Sequence, residues 1–262
     1  MDLSALADPA ALSALLPPEL PLWAAAALIA LSAGTSFITA AFGLGGGVVL
    51  LGALATLLPP AALIPVHGVV QVGSNVGRTA IMARHIRFDI LLPFALGAMA
   101  GAAVGGLIAV RLPPWLFHLG LGLFILWAAW GKAPPALGRK TLALGGAVSS
   151  FLTMFFGATG PFVASVIRTL KLDRLQHVGT FSACMVTQHG VKVAVFGLLG
   201  FAYAPWLPFM AAMIATGFLG TLVGRRVLQG FSDDRFRLVL NGVLTLLALR
   251  LLWRAGSLLL GG

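Results

Sequence analysis

Apolar residues fill long stretches of this chain, separated by short connections that carry glycine, proline and basic residues. As α-helix, roughly 17 to 25 apolar residues are enough to cross a bilayer. We therefore predict ten helical segments, five in each half. In the first half they are Leu22–Phe42, Val48–Leu58, Ile64–Ala83, Phe88–Val110 and Trp115–Gly131. In the second half they are Leu142–Phe156, Phe162–Ile167, Gln176–Gly200, Pro205–Val227 and Arg235–Leu252.

The first two segments meet at a glycine cluster, "AFGLGGGVVL", with four glycines from Gly43 to Gly47. A phosphate-binding loop is excluded because no Lys-Ser/Thr pair follows the glycines. Two interpretations remain open. One is close helix packing through small residues. The other is a broken membrane helix, whose free N–H groups line a site near the midplane, as in inverted-repeat transporters.

The chain is an internal duplication with an offset of 114 residues. "SFITAAFGLGGGVVL", from Ser36, lies over "SFLTMFFGATGPFVA", from Ser150, so that Gly43 meets Gly157 and Gly46 meets Gly160. At the same offset Ser74, Asn75 and Arg78 fall on Gln188, His189 and Lys192. With a few residues inserted, Gly101 and Gly105 fall on Gly220 and Gly224. The fourth segments, which carry these last glycines, are predicted to be close-packing surfaces.

Connections that are basic in one half are neutral at the matching position in the other half. Since Lys and Arg are retained on the cytoplasmic side, this pattern predicts two repeats of opposite orientation. The predicted fold is therefore an all-α polytopic membrane protein, with two inverted-topology repeats of about five helical segments each and glycine-broken short helices. We divide the chain into an extracytoplasmic N-terminal segment (1–21), repeat 1 (22–131), a cytoplasmic linker (132–140) and repeat 2 (141–256).

Composition supports a membrane protein and argues against other classes. Only 9% of the residues are charged and 59% are hydrophobic, whereas soluble domains carry about a quarter charged residues. The net charge of +10 lies in the short connections, so membrane topology explains it better than nucleic-acid binding. The single cysteine, Cys184, lies in an apolar stretch and is expected to be buried and inert. Acidic residues are too few for paired-carboxylate catalysis, and the separated histidines do not predict a metal site.

A polar stripe follows one face of the third segment: His67, Gln71, Ser74, Asn75 and Arg78. Its counterpart in repeat 2 carries Gln188, His189 and Lys192. Arg78 could reach back to the basic loop at Arg84, and the histidines could simply bond neighbouring helices. The paired placement of Arg78 and Lys192 without a nearby carboxylate favours an anionic ligand instead.

These motifs resemble those of the TauE/SafE sulfite exporter family, also called the toluene sulfonate uptake permease family. Gly43, Gly45, Gly46 and Gly47 match its F-G-x-G-G-G signature, while the second copy has Thr159 and Pro161 where glycines are usual. "QVGSNVGR", from Gln71, is similar to a Q-x-x-S-N-x-x-R segment found in part of the family. The resemblance implies a multi-pass inner-membrane carrier of small, sulfur-containing or other organic anions.

We therefore expect a secondary transporter of sulfite or an organosulfonate that works by alternating access, and not an enzyme. The alternatives are an anion channel or a carrier for a non-sulfur organic anion. The predicted partners are a small anion and the lipid bilayer, with no cofactor, no metal and no nucleic acid. A coupling proton or sodium ion and a homodimer are both compatible with the sequence. The predicted substrate-binding residues are Gly45, Gly46, Gly47, His67, Gln71, Asn75, Arg78, Thr159, Gly160, Pro161, Gln188, His189 and Lys192.

Overall fold

The computed structural model describes residues 16–17, 19–42, 45–109, 111–131, 141–168, 170, 172–227 and 233–260. The predicted linker 132–140, most of the predicted segment 1–21 and the glycine at position 43 lie outside these ranges. Within them, regular structure consists of ten α-helices and two short 3₁₀ turns, with no strand. The helices of repeat 1 are α1 (Leu22–Phe42), α2 (Gly46–Leu57), α3 (Pro60–Ile81), α4 (Phe88–Ala109) and α5 (Pro114–Trp130). Those of repeat 2 are α6 (Leu142–Phe156), α7 (Gly160–Arg168), α8 (Arg174–Leu198), α9 (Leu207–Val227) and α10 (Asp233–Leu259).

Helix boundaries follow the register of the sequence duplication. The starts of α2 and α7 lie 114 residues apart, and so do the starts of α3 and α8. After the insertion, α4 and α9 start 119 residues apart, and α5 and α10 keep that offset. The two halves therefore share one plan of five helices. Inversion of one half relative to the other stays a prediction.

The halves pack by exchanging partners. Helix α1 packs along α9, and α4 packs along α6, so the first helix of each half lies against the fourth helix of the other. The two third helices, α3 and α8, pack on each other, as do the two fifth helices, α5 and α10. The molecule is therefore one interlocked bundle.

Glycines bring the exchanged helices into backbone contact, as the sequence predicts. A Cβ atom at Gly101 would collide with the backbone carbonyl of Ala147 in α6, and one at Gly220 would collide with that of Ala33 in α1. Gly105 and Gly224 approach the carbonyls of Phe151 and Phe37 in the same way. Both interfaces use repeat-equivalent residues.

Four helices are long and apolar enough to cross a membrane, over Leu22–Ala40, Phe88–Ala109, Ala204–Gly224 and Asn241–Leu259. Their outward faces carry large exposed apolar side chains, among them Leu96 and Leu107 in α4 and Leu246 and Trp253 in α10. Water-soluble monomers rarely expose apolar surface on this scale. The third helices, α3 and α8, have comparable length but carry the polar stripes and lie in the interior.

Candidate functional site

Each half contains one helix break, and the two breaks are repeat-equivalent. Helix α1 ends at Phe42 and α2 begins at Gly46, and 114 residues later α6 ends at Phe156 and α7 begins at Gly160. Gly45 precedes α2 with a φ of 102° and Gly157 follows α6 with a φ of 69°. Only glycine adopts these angles without strain, which explains glycine at these two positions.

A small cavity of about 50 Å³ lies where the two breaks approach each other beside α3. One water needs about 10 to 15 Å³ of such space, so the cavity has room for a few water-sized groups. Its polar lining residues are Thr39, Gln71, Ser74, Asn75 and Arg78, together with the break glycines Gly45, Gly47 and Gly160. Its apolar lining residues are Val48, Ala158, Phe181 and Met185.

Arg78 gives this cavity a positive charge. Its Nη1 atom lies 3.4 Å from the Asn75 side-chain oxygen, while its Nη2 atom is buried without a hydrogen-bond partner. The Asn75 amide nitrogen donates to the carbonyl of Gln71, 2.8 Å away, which fixes the orientation of that side chain. No lining residue is an Asp or a Glu. The guanidinium thus has an unused donor and no neutralising carboxylate.

The starts of α2 and α7 add backbone polarity to the same cavity. The first N–H groups of an α-helix have no partner inside the helix and carry the positive end of its dipole. Helix α2 has the N–H groups of Gly46 and Gly47 in its first turn, and Gly47 lines the cavity. Pro161 in the first turn of α7 has no backbone N–H and cannot donate. The α7 start therefore offers fewer donors than the α2 start.

A second group of predicted site residues lies apart from the cavity, fully buried between α3 and α8. We call His67, Gln188, His189 and Lys192, with Thr159, the polar layer. The Lys192 amino group donates to the carbonyl of Gly157 at 3.1 Å. The Gln188 amide donates to the Ser149 carbonyl at 2.8 Å and to the Thr159 hydroxyl at 2.6 Å. Lys192 and Gln188 therefore hold the second break, whose residues Ala158 and Gly160 line the cavity.

The two histidines of the layer face each other, with ring centroids 6.0 Å apart and planes nearly perpendicular. His67 Nε2 lies 3.1 Å from the carbonyl of Gly47, so this nitrogen carries the hydrogen, because a carbonyl oxygen can only accept. Its Nδ1 and both ring nitrogens of His189 are buried without a hydrogen-bond partner. The layer thus contains unused basic nitrogens.

On the other side of the layer, an apolar vestibule of about 410 Å³ opens at the ends of several helices. From α3 it is lined by Pro60, Ala61, Ile64 and Pro65, and from α8 and its C-terminal turn by Phe196, Leu199, Gly200 and Phe201. Along α3 the order is vestibule, His67, then the cavity residues from Gln71 to Arg78. Along α8 it runs from the cavity residues Phe181 and Met185 through the layer to the vestibule. The polar layer therefore separates two spaces at opposite ends of the α3–α8 pair.

The family model described as sulfite exporter TauE/SafE matches residues 26–251, a span that reaches from α1 to α10. The chain belongs to the TauE/SafE family. It is accordingly a multi-pass membrane transporter, from a family of transporters and not of enzymes. No curated protein and no solved structure matched the chain.

In this TauE/SafE transporter the predicted site residues fall into two groups. Gly45, Gly47, Gln71, Asn75, Arg78 and Gly160 line the cavity, whereas His67, Thr159, Gln188, His189 and Lys192 form the layer. Gly46 packs against the α1 backbone at Thr35, and Pro161 lies in the first turn of α7. Arg78 and Lys192 thus do not face one common space.

Sequence reasoning missed the apolar wall of the cavity. Phe181 and Met185 are the repeat equivalents of His67 and Gln71, so the duplication that pointed to the polar stripe could have located them too. Ser74 belongs to the predicted stripe and Thr39 to the duplicated stretch that starts at Ser36, yet neither was expected to bind substrate. Within the described residues no group of three or more His, Cys, Asp or Glu could hold a metal ion.

Proposed function

We propose that this protein is a secondary transporter that moves a small sulfur-containing anion, such as sulfite or an organosulfonate, across the inner membrane by alternating access. The observation that carries the proposal is the Arg78 guanidinium, which lines a cavity without a carboxylate and keeps a buried nitrogen unpartnered.

Charge balance favours an anion as the cavity's ligand. A buried charge is costly unless it is paired, and the chain has only seven acidic residues to pair with. Asp89 already pairs with Arg87 at 2.9 Å, and Asp173 caps the start of α8 by accepting from the Gln176 amide. The remaining acidic residues are Asp2, Asp8, Glu19, Asp233 and Asp234, near the chain's start or the first turn of α10. A bound anion would supply the missing partner.

The two-sided lining favours an anion with oxygens on one side only. Arg78, Gln71, Ser74 and the α2 N–H groups can donate to oxygens, whereas Phe181 and Met185 offer no strong donor. Sulfite is pyramidal, and a sulfonate carries carbon in place of a fourth oxygen, so both can turn an oxygen-free side to the apolar wall. Sulfate would bury one oxygen there without a hydrogen bond, which is costly.

The two spaces separated by the polar layer support alternating access. The cavity is lined by the C-terminal half of α3, which leads into the basic turn at Arg84 and Arg87, and the vestibule lies among the neutral connections near Pro60 and Phe201. By the positive-inside rule the cavity belongs to the cytoplasmic side and the vestibule to the outside. No nucleotide-binding motif is present in the sequence, so we infer that an ion gradient or the anion's own gradient drives transport.

Counterflow in proteoliposomes tests both the mechanism and the substrate. Labelled methanesulfonate is expected to enter faster when the vesicles are preloaded with unlabelled methanesulfonate or sulfite. When they are preloaded with sulfate, we expect this stimulation of uptake to be at least about tenfold smaller. Met185→Gln puts into the apolar wall the amide side chain that repeat 1 has at Gln71. We expect this variant to reduce the difference in stimulation between methanesulfonate and sulfate. Flux that is insensitive to the internal anion would indicate a channel. Equal stimulation by sulfate would contradict the proposed substrate class.

A further inference from the structure

The polar layer contains a cluster of basic groups that binding at the cavity does not use. His67, His189 and Lys192 are all fully buried, at 0% exposure. Their side chains meet no carboxylate among the described residues, and three ring nitrogens have no hydrogen-bond partner. Each unpartnered buried nitrogen costs free energy, so the arrangement calls for a function.

The ring nitrogens are available as proton acceptors. His67 uses its Nε2 hydrogen on the Gly47 carbonyl, which leaves the lone pair of Nδ1 free and buried. A neutral His189 likewise has one lone pair, since neither of its nitrogens is engaged. Lys192 approaches the same group, because its Cε atom contacts α3 at Gly68, next to His67. Three neighbouring bases can share a proton, whereas several protons would repel one another.

Other titratable groups lie away from the cluster. The helices α2 and α6, which border it, carry none. Those on the remaining neighbouring helices are Asp89 in α4, Arg168 in α7 and Arg225 and Arg226 in α9, all near helix ends. On α3 and α8 themselves they are Arg78, Arg174, His177 and Cys184, together with Tyr203 beyond α8, whose hydroxyl donates to the Val193 carbonyl. A proton on the cluster therefore has no fixed negative charge beside it.

The backbone of the two breaks lies between the cluster and the cavity. The carbonyl of Gly47 accepts from His67, and Gly47 itself lines the cavity. The carbonyl of Gly157 accepts from Lys192, and the next residue, Ala158, lines the cavity. An anion in the cavity would thus come close enough to stabilise a positive charge on the cluster.

We propose that His67, His189 and Lys192 form the proton-binding site that couples transport to the proton gradient, an inference that rests on the proposed function. A proton from water on the side from which the anion enters binds a lone pair of one of the three bases. It is taken up with the anion and released with it on the other side of the membrane. One proton with one monoanion makes the cargo electroneutral.

Proton uptake on anion binding provides the test. The purified protein in weakly buffered detergent solution, with a pH indicator, is titrated with methanesulfonate, which does not itself take up protons near neutral pH as sulfite does. We expect about one proton taken up per anion bound. By linkage, the apparent Kd should then rise about tenfold per pH unit above the pKa of the free cluster.

Two variants and a control test whether the proton uptake occurs at this cluster. Lys192→Gln and His189→Gln should bind methanesulfonate with little proton uptake and a flattened pH dependence. Cys184→Ala changes a fully buried side chain of the same helix outside the cluster and should behave like the parent protein.

Unchanged uptake in both variants would overturn the assignment to this cluster. Normal binding by the parent protein without proton uptake at any pH would overturn coupling and leave the proposed function intact. That measurement needs no variant, so a misfolded substitution does not prevent a decision. Failure of the parent protein to bind either methanesulfonate or sulfite would contradict the proposed function, and this inference with it.

Discussion

Arg78 and Lys192 hold equivalent positions in the two repeats but have different surroundings. The Arg78 guanidinium lines a cavity and keeps one nitrogen unpartnered, whereas the Lys192 amino group is fully buried and donates to the Gly157 carbonyl. The difference extends to their neighbours, because Gln71 of the cavity wall corresponds to the apolar Met185. Repeat-equivalent side chains in the two halves therefore have different environments and contacts.

Arg78→Gln is expected to weaken methanesulfonate binding about 10- to 100-fold, because hydrogen bonds to charged groups are worth about 1.5 to 3 kcal/mol. Isothermal titration of the purified variant measures the change. Arg84→Gln removes the same charge from an exposed position in the turn after α3 and should change affinity less than about twofold. Equal losses in the two variants would mean that general electrostatic attraction, and not a specific contact, explains the effect.

Sequence spacing located the cavity side chains of α3 but not all of their partners. Residues 71, 74, 75 and 78 share one face by helical periodicity, and the structure brings all four to one cavity. His67 precedes Gln71 by one turn, yet it reaches the carbonyl of Gly47 in α2. A side chain's partner on another helix depends on how the helices pack, which periodicity within one segment does not encode.

The glycine-lined contacts of α4 with α6 and of α9 with α1 set the spacing of the helices. Where backbone meets backbone, even a methyl group has no room, as at Gly101 beside Ala147 and at Gly220 beside Ala33. Such approach is common in membrane bundles, where close packing has to hold helices together in lipid. The two contacts act as one repeated element.

Gly101→Ala and Gly220→Ala are each expected to destabilise the protein by about 1 to 3 kcal/mol, because the added methyl forces two helix backbones apart. Thermal unfolding in detergent measures the loss. Gly190→Ala is the matched control, since a Cβ at this helical position of α8 meets open space and the substitution should be neutral or slightly stabilising. Wild-type thermal stability in both test variants would show that the contacts adapt easily.

Helix boundaries were predicted well where the chain itself marks them and less well elsewhere. Helices α1 and α6 end directly before the glycine clusters, and both ends were predicted to the residue. Helix α3 begins at Pro60, four residues earlier than expected, because proline is favoured in the first turn. Helix α10 continues to Leu259 past the predicted end at Leu252, since an exposed Arg254 does not interrupt backbone hydrogen bonding.

At the scale of the whole molecule, each half packs its first helix against the fourth helix of the other half. Helices α1 and α4 of the first half find their partners α9 and α6 in the second. The offset of 114 residues could be recognised from the sequence because the motifs repeat. The partner exchange could not, because it is a property of contacts between segments far apart in the chain.

Labelling of single cysteines in intact cells tests the inverted topology. Ala61 and Leu175 are exposed, repeat-equivalent positions in the first turns of α3 and α8. In a Cys184→Ala background, Ala61→Cys should react with a membrane-impermeant maleimide from outside, and Leu175→Cys only after the cells are opened. Labelling of both from the same side would mean that the repeats are parallel.

The partner exchange also has a consequence for how the molecule is made. When the ribosome has completed α1, the surface on which that helix will finally rest, α9, is still more than 160 residues from being synthesised. The glycine-lined face of α4 likewise has no partner until α6 has been synthesised. Until then, lipids or the insertion machinery must cover these helix faces. The first half on its own would lack the counterparts of its closest contacts, so the duplicated chain is expected to fold as a single unit only after most of it has entered the membrane.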